Sequence, residues 1–479
     1  MKTYLLNPSL LGNPRYIREG RCMQKASSWA SAWPPLSMAI LGAIAKAWGE
    51  VRLIDGNVEK ITIKSLLKNI HCFSPNLVVI STGFPSINDD MYAAMKIKKT
   101  FPQVYILAFG VYFTMLGKEE FARHPFLDFA ISGEPEETFS ELGAALLRGE
   151  NRFDGIAGII YKEDGEIRQT SPRPLTTDLD RIPHPDRSLL KNKQYRLPQN
   201  NHIYTMVNTA RGCPYRCTFC IVAGYYGGAV RKHSIRYILD ELLECVQRYG
   251  TTEFLFWEEA FTLDKKYLMD FCRAIADERL SINWAATTRA DSLDDEIVSA
   301  MKKAGCYLLG LGIESSDRKI LDRAQKKQTA DDVRHAVALC RKHNLATMGH
   351  FIFGLPGETK ETAEATIRFM LELGLDYMQC YCAVPYPNTA LGAEAKKNGW
   401  IRAKEWSQYD FGGNSIMCTD TMNCKEVDRF RVKAFRSFYF RPVYILKKLF
   451  SGLSVLQLVR RAADFSGWMN LPYMKKRRP

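Results

Sequence analysis

Three cysteines, Cys213, Cys217 and Cys220, fall in the stretch RGCPYRCTFC, with Phe219 directly before the last. In a chain whose other thiols are scattered, a set this closely spaced points to metal or catalysis. A four-iron cluster wants a ligand on each iron, so three thiolates leave one iron open to bind something else. Structural zinc is the competing use. It prefers four ligands in paired spacing, and His233 is the only near candidate to complete the set.

Further groups follow downstream at regular places. FLFWEEAF carries Glu258 and Glu259, TTRAD carries Arg289, LGIESS carries Glu314, and GHFIFGLPGE carries Gly354 and Glu358. Singly, each has a structural alternative: Arg289 can pair with Asp291, and Glu358 can open a helix whose dipole favours a carboxylate. Their order is the stronger signal, because each follows an apolar run with strand character. YMQCYCAV places Cys380 and Cys382 on one face and Tyr381 on the other, by the two-residue period of a strand. The thiols read as packing, and Asn388 stands at a turn that tolerates asparagine.

Those residues need elements to hold them. From about 203, the runs IYTMVNT, EFLFW, INWAAT, YLLGLGI, TMGHFIFG and YMQCYCAV alternate with helical stretches. Ser234 and Ser292 read as helix starts, with Gly250, Gly305 and Gly374 as stops. Six strand-helix units make a partial barrel over 201–395, whose chemistry gathers on the loops after the strands. The cysteines lie in the first of these loops.

Residues 1–150 also alternate strands and helices, which predicts a Rossmann-like α/β domain with a parallel sheet covered on both faces. Its ligand crevice lies beyond the strand ends, at NPSL, STGFPS, FGVYFT and SGEPEE. The segment GNPRYIREGRCMQKASSW reads as a long basic loop. Residues 151–200 read as a hairpin-like piece and a connector, since Pro172, Pro174, Pro183 and Pro185 forbid a continuous helix; His184 there is structural. Residues 396–479 read as a small, mainly helical C-terminal region.

With 479 residues, 46% hydrophobic and 25% charged, the chain is globular and long enough for two or three domains. The opening residues lack a signal-peptide pattern and no run of 18 apolar residues follows, so the expected location is cytoplasmic. Thirteen cysteines should then stay reduced. Cys245, Cys272 and Cys340 read as core thiols, and Cys418 and Cys424 as core thiols or a weak second metal pair. The net charge of +14 fits a nucleic acid, an anionic substrate or a membrane surface. The aromatic and basic segment ending in YMKKRRP suits a barrel cap, a large substrate or a peripheral membrane contact.

The cysteine motif in the first loop of a partial barrel resembles the radical S-adenosylmethionine (radical SAM) superfamily, over residues 203 to about 390. The resemblance implies a 4Fe-4S cluster on Cys213, Cys217 and Cys220, S-adenosylmethionine chelated to the open iron, and its cleavage to a 5'-deoxyadenosyl radical. It implies cofactor contacts at Phe219, at Glu258 or Glu259 for the ammonium, at Arg289 for the carboxylate, at Glu314 for the ribose or methionine moiety, and at Gly354 beside adenine.

The N-terminal domain resembles the cobalamin-binding branch, carried by WPPLSMAILGAIAKAWGEVRLID, VVIST, AMKIKKTFP and ISGEPEETFSEL. That implies cobalamin contacts at Ser81, Thr82, Gly110, Tyr112, Gly133 and Glu134. Two departures stand out: there is no DxHxxG, and the usual GGPH loop is FGVY, with Phe109 for a glycine and Tyr112 for the histidine. An empty scaffold domain is the alternative.

The implied function is methylation of an unactivated carbon of a small-molecule or lipid substrate, with electrons from an external donor such as flavodoxin or ferredoxin. The alternatives are a radical oxidoreductase or cyclase of the anaerobic tetrapyrrole type and, less favoured, a non-catalytic iron-sulfur protein on RNA. The chain lacks the aromatic-basic stacking motifs that RNA binding calls for, so no nucleic-acid partner is expected.

Overall fold

The computed structural model describes residues 1–11, 15–20, 22–25, 32–197, 200–259 and 261–450. The YMKKRRP stretch lies outside the described residues, as do parts of the basic loop between residues 12 and 31.

The N-terminal strands are β1 (Thr3–Asn7), the hairpin pair β2 (Tyr16–Glu19) and β3 (Cys22–Lys25), β4 (Val51–Asp55), β5 (Leu77–Ser81), β6 (Tyr105–Phe109) and β7 (Phe129–Ile131). A second hairpin, β8 (Ile159–Glu163) and β9 (Glu166–Gln169), follows. One sheet runs β4-β1-β5-β6-β7-β8-β9, parallel through β7 and antiparallel beyond it. The hairpin at 159–169 is thus the edge of this sheet. Runs such as Leu77–Ser81 are buried along their whole length, as a sheet covered on both faces requires. The order reverses between β1 and β5, which makes their carboxyl ends the switch point where open α/β sheets hold ligands.

The second half gives β10 (Tyr204–Asn208), the short pair β11 (Ala210–Arg211) and β12 (Arg231–Lys232), then β13 (Glu253–Trp257), β14 (Asn283–Thr288), β15 (Cys306–Glu314), β16 (Ala346–Phe353) and β17 (Tyr377–Cys382). Six of these pair in parallel in the order β10-β13-β14-β15-β16-β17, a six-stranded partial barrel. Helices cover its outside. Ser234 caps the helix Ile235–Tyr249 by accepting from the Tyr237 amide, and Gly250 ends it at φ +64. The helix expected to open at Ser292 is capped two residues later by Asp294. The helix Cys424–Tyr439 packs on β17 through Phe435, Phe438 and Tyr439.

Two readings change here. The basic loop contains a real hairpin, β2–β3, because Asn57 pairs with both backbone groups of Tyr16 and Arg18 is buried at the switch point. Cys418 and Cys424 are joined as a disulfide with Cα atoms 4.9 Å apart, since the turn between them returns the chain on itself. They are therefore neither free thiols nor a metal pair.

Candidate functional site

A cavity of about 300 Å³ opens at the carboxyl ends of the barrel strands and runs down between them. Cys213, Cys217 and Cys220, each half-buried, line it together with Phe219. Their loop is held at its root by β11–β12, and Gly212 (φ +96) is required there because a β-carbon would collide with the Ala229 carbonyl. Burial pushes the Cys217 thiol up, and Lys326 pulls it back in part. Among the described residues no group of three His, Cys, Asp or Glu side chains gathers for a single ion. His233 is committed elsewhere: it is buried, bonds to Asp180 at 3.1 Å, and stacks on Tyr237. His184 likewise bonds to the Tyr237 carbonyl.

Of the two adjacent carboxylates, Glu259 lines the cavity, while Glu258 accepts a hydrogen bond from Thr209 and is not part of the wall. Arg289 lines it too, but its guanidinium is bonded to Asp291 and to the Lys326 carbonyl at 2.6 Å, and stacks on Tyr215 at 3.8 Å. Burial alone would lower the Arg289 pKa; the Asp291 carboxylate outweighs it and raises it. Glu314 has φ +66, beside an irregularity in the β15–β16 register, and its carboxylate meets Lys326 at 2.9 Å. A left-handed non-glycine backbone stores about 1–3 kcal/mol and persists where the surroundings demand it.

Gly354 is placed otherwise than expected. It is outside the cavity wall, and a β-carbon there would press on Val427 of the helix Cys424–Tyr439. Glu358, expected to open a helix, is fully buried and accepts from the Gly354 amide instead; the helix starts at Lys360 under a Thr359 cap. Burial pushes the Glu358 carboxyl up to about 8. Tyr381 faces the cavity, and Cys380 and Cys382 are buried on the opposite face, as packing residues. Asn388 sits at φ +59 and donates to the Met115 carbonyl. Lys326, Tyr215, His350 and Gln379 were not singled out in the sequence. Gln379 and Tyr381 are two apart on one strand, so period-two reasoning reaches Gln379; Lys326 lies in a loop with no such signal.

In the N-terminal sheet, Ser81 is buried at the end of β5, and the Thr82 hydroxyl is bonded to the Phe109 carbonyl. Gly110 (φ +125) lies so close that a β-carbon would collide with the Thr82 carbonyl. Gly133 (φ +101) has open space where its β-carbon would be. Tyr112 is turned into the core, its hydroxyl 2.6 Å from Glu120. Glu134 is bonded by both oxygens to Arg231, at 2.7 and 2.9 Å. Arg211, next to the cysteine loop, meets Glu136 at 2.6 Å and Glu134 at 3.4 Å. All four side chains of this seam are buried. The switch point itself is filled by Arg18, which donates to Ser86, Asn7, the Pro8 carbonyl and Asp90.

Three thiols in a clamped loop suit a cluster with an open iron, and carboxylates beside it suit a zwitterionic cofactor. Trp33, Trp257, Tyr386 and Phe411 border the cavity, whereas Ser81, Thr82, Gly110, Tyr112, Gly133 and Glu134, the expected corrin contacts, are not part of its wall, and Arg18 occupies the switch point of their sheet.

A doubly wound sheet set against a six-stranded partial barrel with a three-cysteine loop defines a radical-enzyme architecture. A sequence model described as the Radical SAM superfamily matches residues 207–370. The chain is 34% identical over 418 residues to the uncharacterized methyltransferase PH0819 of Pyrococcus horikoshii, covering 87% of this chain and 90% of that protein. It is 26% identical to the anaerobic magnesium-protoporphyrin IX monomethyl ester cyclase of Rubrivivax gelatinosus, over 87% and 75% of the two chains. In fold it is similar to TsrM of Kitasatospora setae, a radical S-adenosylmethionine methyltransferase solved with cobalamin and a [4Fe-4S] cluster bound: TM-score 0.67, 19% identity, 84% of this chain and 76% of that one. The chain belongs to the radical SAM superfamily, whose members use a 4Fe-4S cluster and S-adenosylmethionine.

Proposed function

We propose that the protein is a cobalamin-dependent radical SAM methyltransferase that methylates an unactivated carbon of a small organic substrate. The observation that carries this reading is the cavity at the carboxyl ends of the barrel strands, lined by the three cysteines together with Gln24 and Trp33 of the N-terminal half. The likeness to PH0819 and to TsrM supports methyl transfer over the cyclase reading. When bound, the cluster and S-adenosylmethionine supply a carbon-centred radical and cobalamin supplies a methyl group; the protein positions the partners.

In this reading Cys213, Cys217 and Cys220 hold the cluster and Phe219 packs beside it. Glu259, rather than Glu258, faces the cofactor ammonium. Glu314 and Lys326 form a neutral pair beside it, and Arg289 orients the rim through Tyr215 and the Lys326 carbonyl. Electrons come from an external donor, such as a flavodoxin or ferredoxin, and the protein works in the cytoplasm. Among the described residues no helix is long and apolar enough to cross a membrane.

Anaerobically reconstituted protein should bind about four irons. Replacing the three cysteines by alanine should abolish that binding. Turnover with substrate should release 5'-deoxyadenosine and S-adenosylhomocysteine together with a product one methyl heavier. Release of 5'-deoxyadenosine without S-adenosylhomocysteine, and a product that has lost hydrogen or gained oxygen, would establish the cyclase or oxidoreductase reading instead.

A further inference from the structure

Below the cysteine loop the barrel interior is layered. The four charged residues of the cavity wall, Glu259, Arg289, Glu314 and Lys326, all belong to the strand ends and the loops beyond them. Further in, the side chains of Thr287 and His350 meet over Gly310, where a β-carbon would lie 3.0 Å from Thr287 Oγ1 and 2.9 Å from His350 Nε2, and Gln379 pairs with His350 in the strand register. Thr287, His350 and Gln379 all face the cavity, so this level is polar and uncharged apart from the imidazole. Beneath it lies an apolar floor of Ala285, Leu308 and Met348, packed with Leu255, Tyr307 and Tyr377.

One side of this chamber is a wall of nearly parallel rings. Tyr381 lies at 9° to His350, with centroids 6.1 Å apart, and at 25° to Phe411, with centroids 4.1 Å apart. These separations leave no room for a ring between the faces, so a flat ligand ring would lie against the cavity side of this wall. The Tyr381 hydroxyl donates to the Gln379 side-chain oxygen. That engages the acceptor half of the amide, and its two N–H groups are the half that suits a ligand oxygen. A charged ligand group would have to give up its water in the lower chamber against an apolar floor, with the wall's charged groups all held at the rim.

We infer that the barrel interior beneath the cysteine loop is the substrate chamber, that it takes an uncharged, flat ring compound bearing an acceptor oxygen, and that Gln379 is the residue that reads this oxygen. This rests on the reading of the upper cavity as the cofactor site, since only then does a substrate in the chamber face the radical. It names the chemistry of the substrate that the proposed methyl transfer leaves open.

The test uses the full chain with reconstituted cluster and S-adenosylmethionine, without reductant, titrated calorimetrically with three nearly isosteric probes: 2-acetylnaphthalene, 2-ethylnaphthalene and 2-naphthoate. The ketone should bind about fivefold more tightly than the ethyl compound, the worth of one net hydrogen bond. The carboxylate should bind more than about tenfold more weakly than the ketone. Gln379→Leu, or Gln379→Met if the first does not fold, should bring the ketone and ethyl affinities together while leaving the ethyl affinity in place. Met348→Trp, which fills the floor, should weaken all three. Carboxylate binding as tight as the ketone, a ketone preference that survives both Gln379 variants, or no binding of any probe overturns the inference. Substrate-free cleavage of S-adenosylmethionine to 5'-deoxyadenosine, measured on the same protein with reductant, separates the two readings. Cleavage without probe binding removes the chamber alone; the expected order of binding without cleavage removes the radical reading alone.

Discussion

Glu358 is the carboxyl whose surroundings differ most from the expected ones. It is fully buried, its Oε2 accepts from the Gly354 amide, its other oxygen has no hydrogen-bond partner, and Asp317 adds a like charge nearby. Burial raises its pKa from about 4.5 to about 8. The folded chain therefore holds this proton through a range where the unfolded chain has lost it. Stability from this group is full below pH 4.5 and falls as pH rises through about 8, by up to about 1.4 kcal/mol per pH unit. Urea unfolding of Glu358→Gln across that range should show a flatter pH dependence than the native protein. Residue types and their order at the strand ends were legible: Glu259, Arg289 and Glu314 do line one cavity with the three cysteines. What a one-dimensional reading could not see was prior commitment. Arg289 is bonded to Asp291, Glu258 to Thr209, and Gly354 makes room for a helix more than seventy residues later in the chain.

Elements were legible where their pattern is their own. The strands of both sheets follow the alternation of apolar runs with amphipathic stretches, and the caps at Ser234 and Gly250 act as their types predict. The β2–β3 hairpin was missed because its partners, Asn57 and Asp90, stand forty and seventy residues away, roughly, and no local periodicity announces them. The open edge at β17 shows the same dependence. The Tyr439 hydroxyl accepts from the Met378 amide at 3.0 Å and donates to the Met378 carbonyl at 2.7 Å, so a helix from the C-terminal region supplies at this position what the next strand of a closed barrel would have supplied by pairing. Tyr439→Phe leaves both buried backbone groups without that partner and should cost about 1–3 kcal/mol in chemical unfolding. Amide exchange should quicken at Met378 and stay unchanged in β1.

At the scale of the molecule, the seam of Arg211, Arg231, Glu134 and Glu136 joins the two sheets beside the cysteine loop. The loop SGEPEE reads from the sequence as ligand lining; in the structure its Glu134 and Glu136 neutralise the buried Arg211 and Arg231 of the β11–β12 pair, and Glu137 pairs with Arg173. Burial pushes the Glu136 carboxyl up, yet Arg211 outweighs it and holds it below its ordinary value. Glu136→Gln leaves Arg211 short of a counter-charge and should destabilise the chain by about 3–5 kcal/mol, read from urea denaturation of the cluster-free protein. The proline-rich stretch before residue 200 looks, on paper, like a joint at which halves could be exchanged. The seam makes it otherwise: a barrel grafted onto another N-terminal module would inherit two interior cations with nothing to answer them. Any workable chimera must bring carboxylates to those two places, so the unit of inheritance for an engineer is the pair of halves, with the SGEPEE loop as its keying surface.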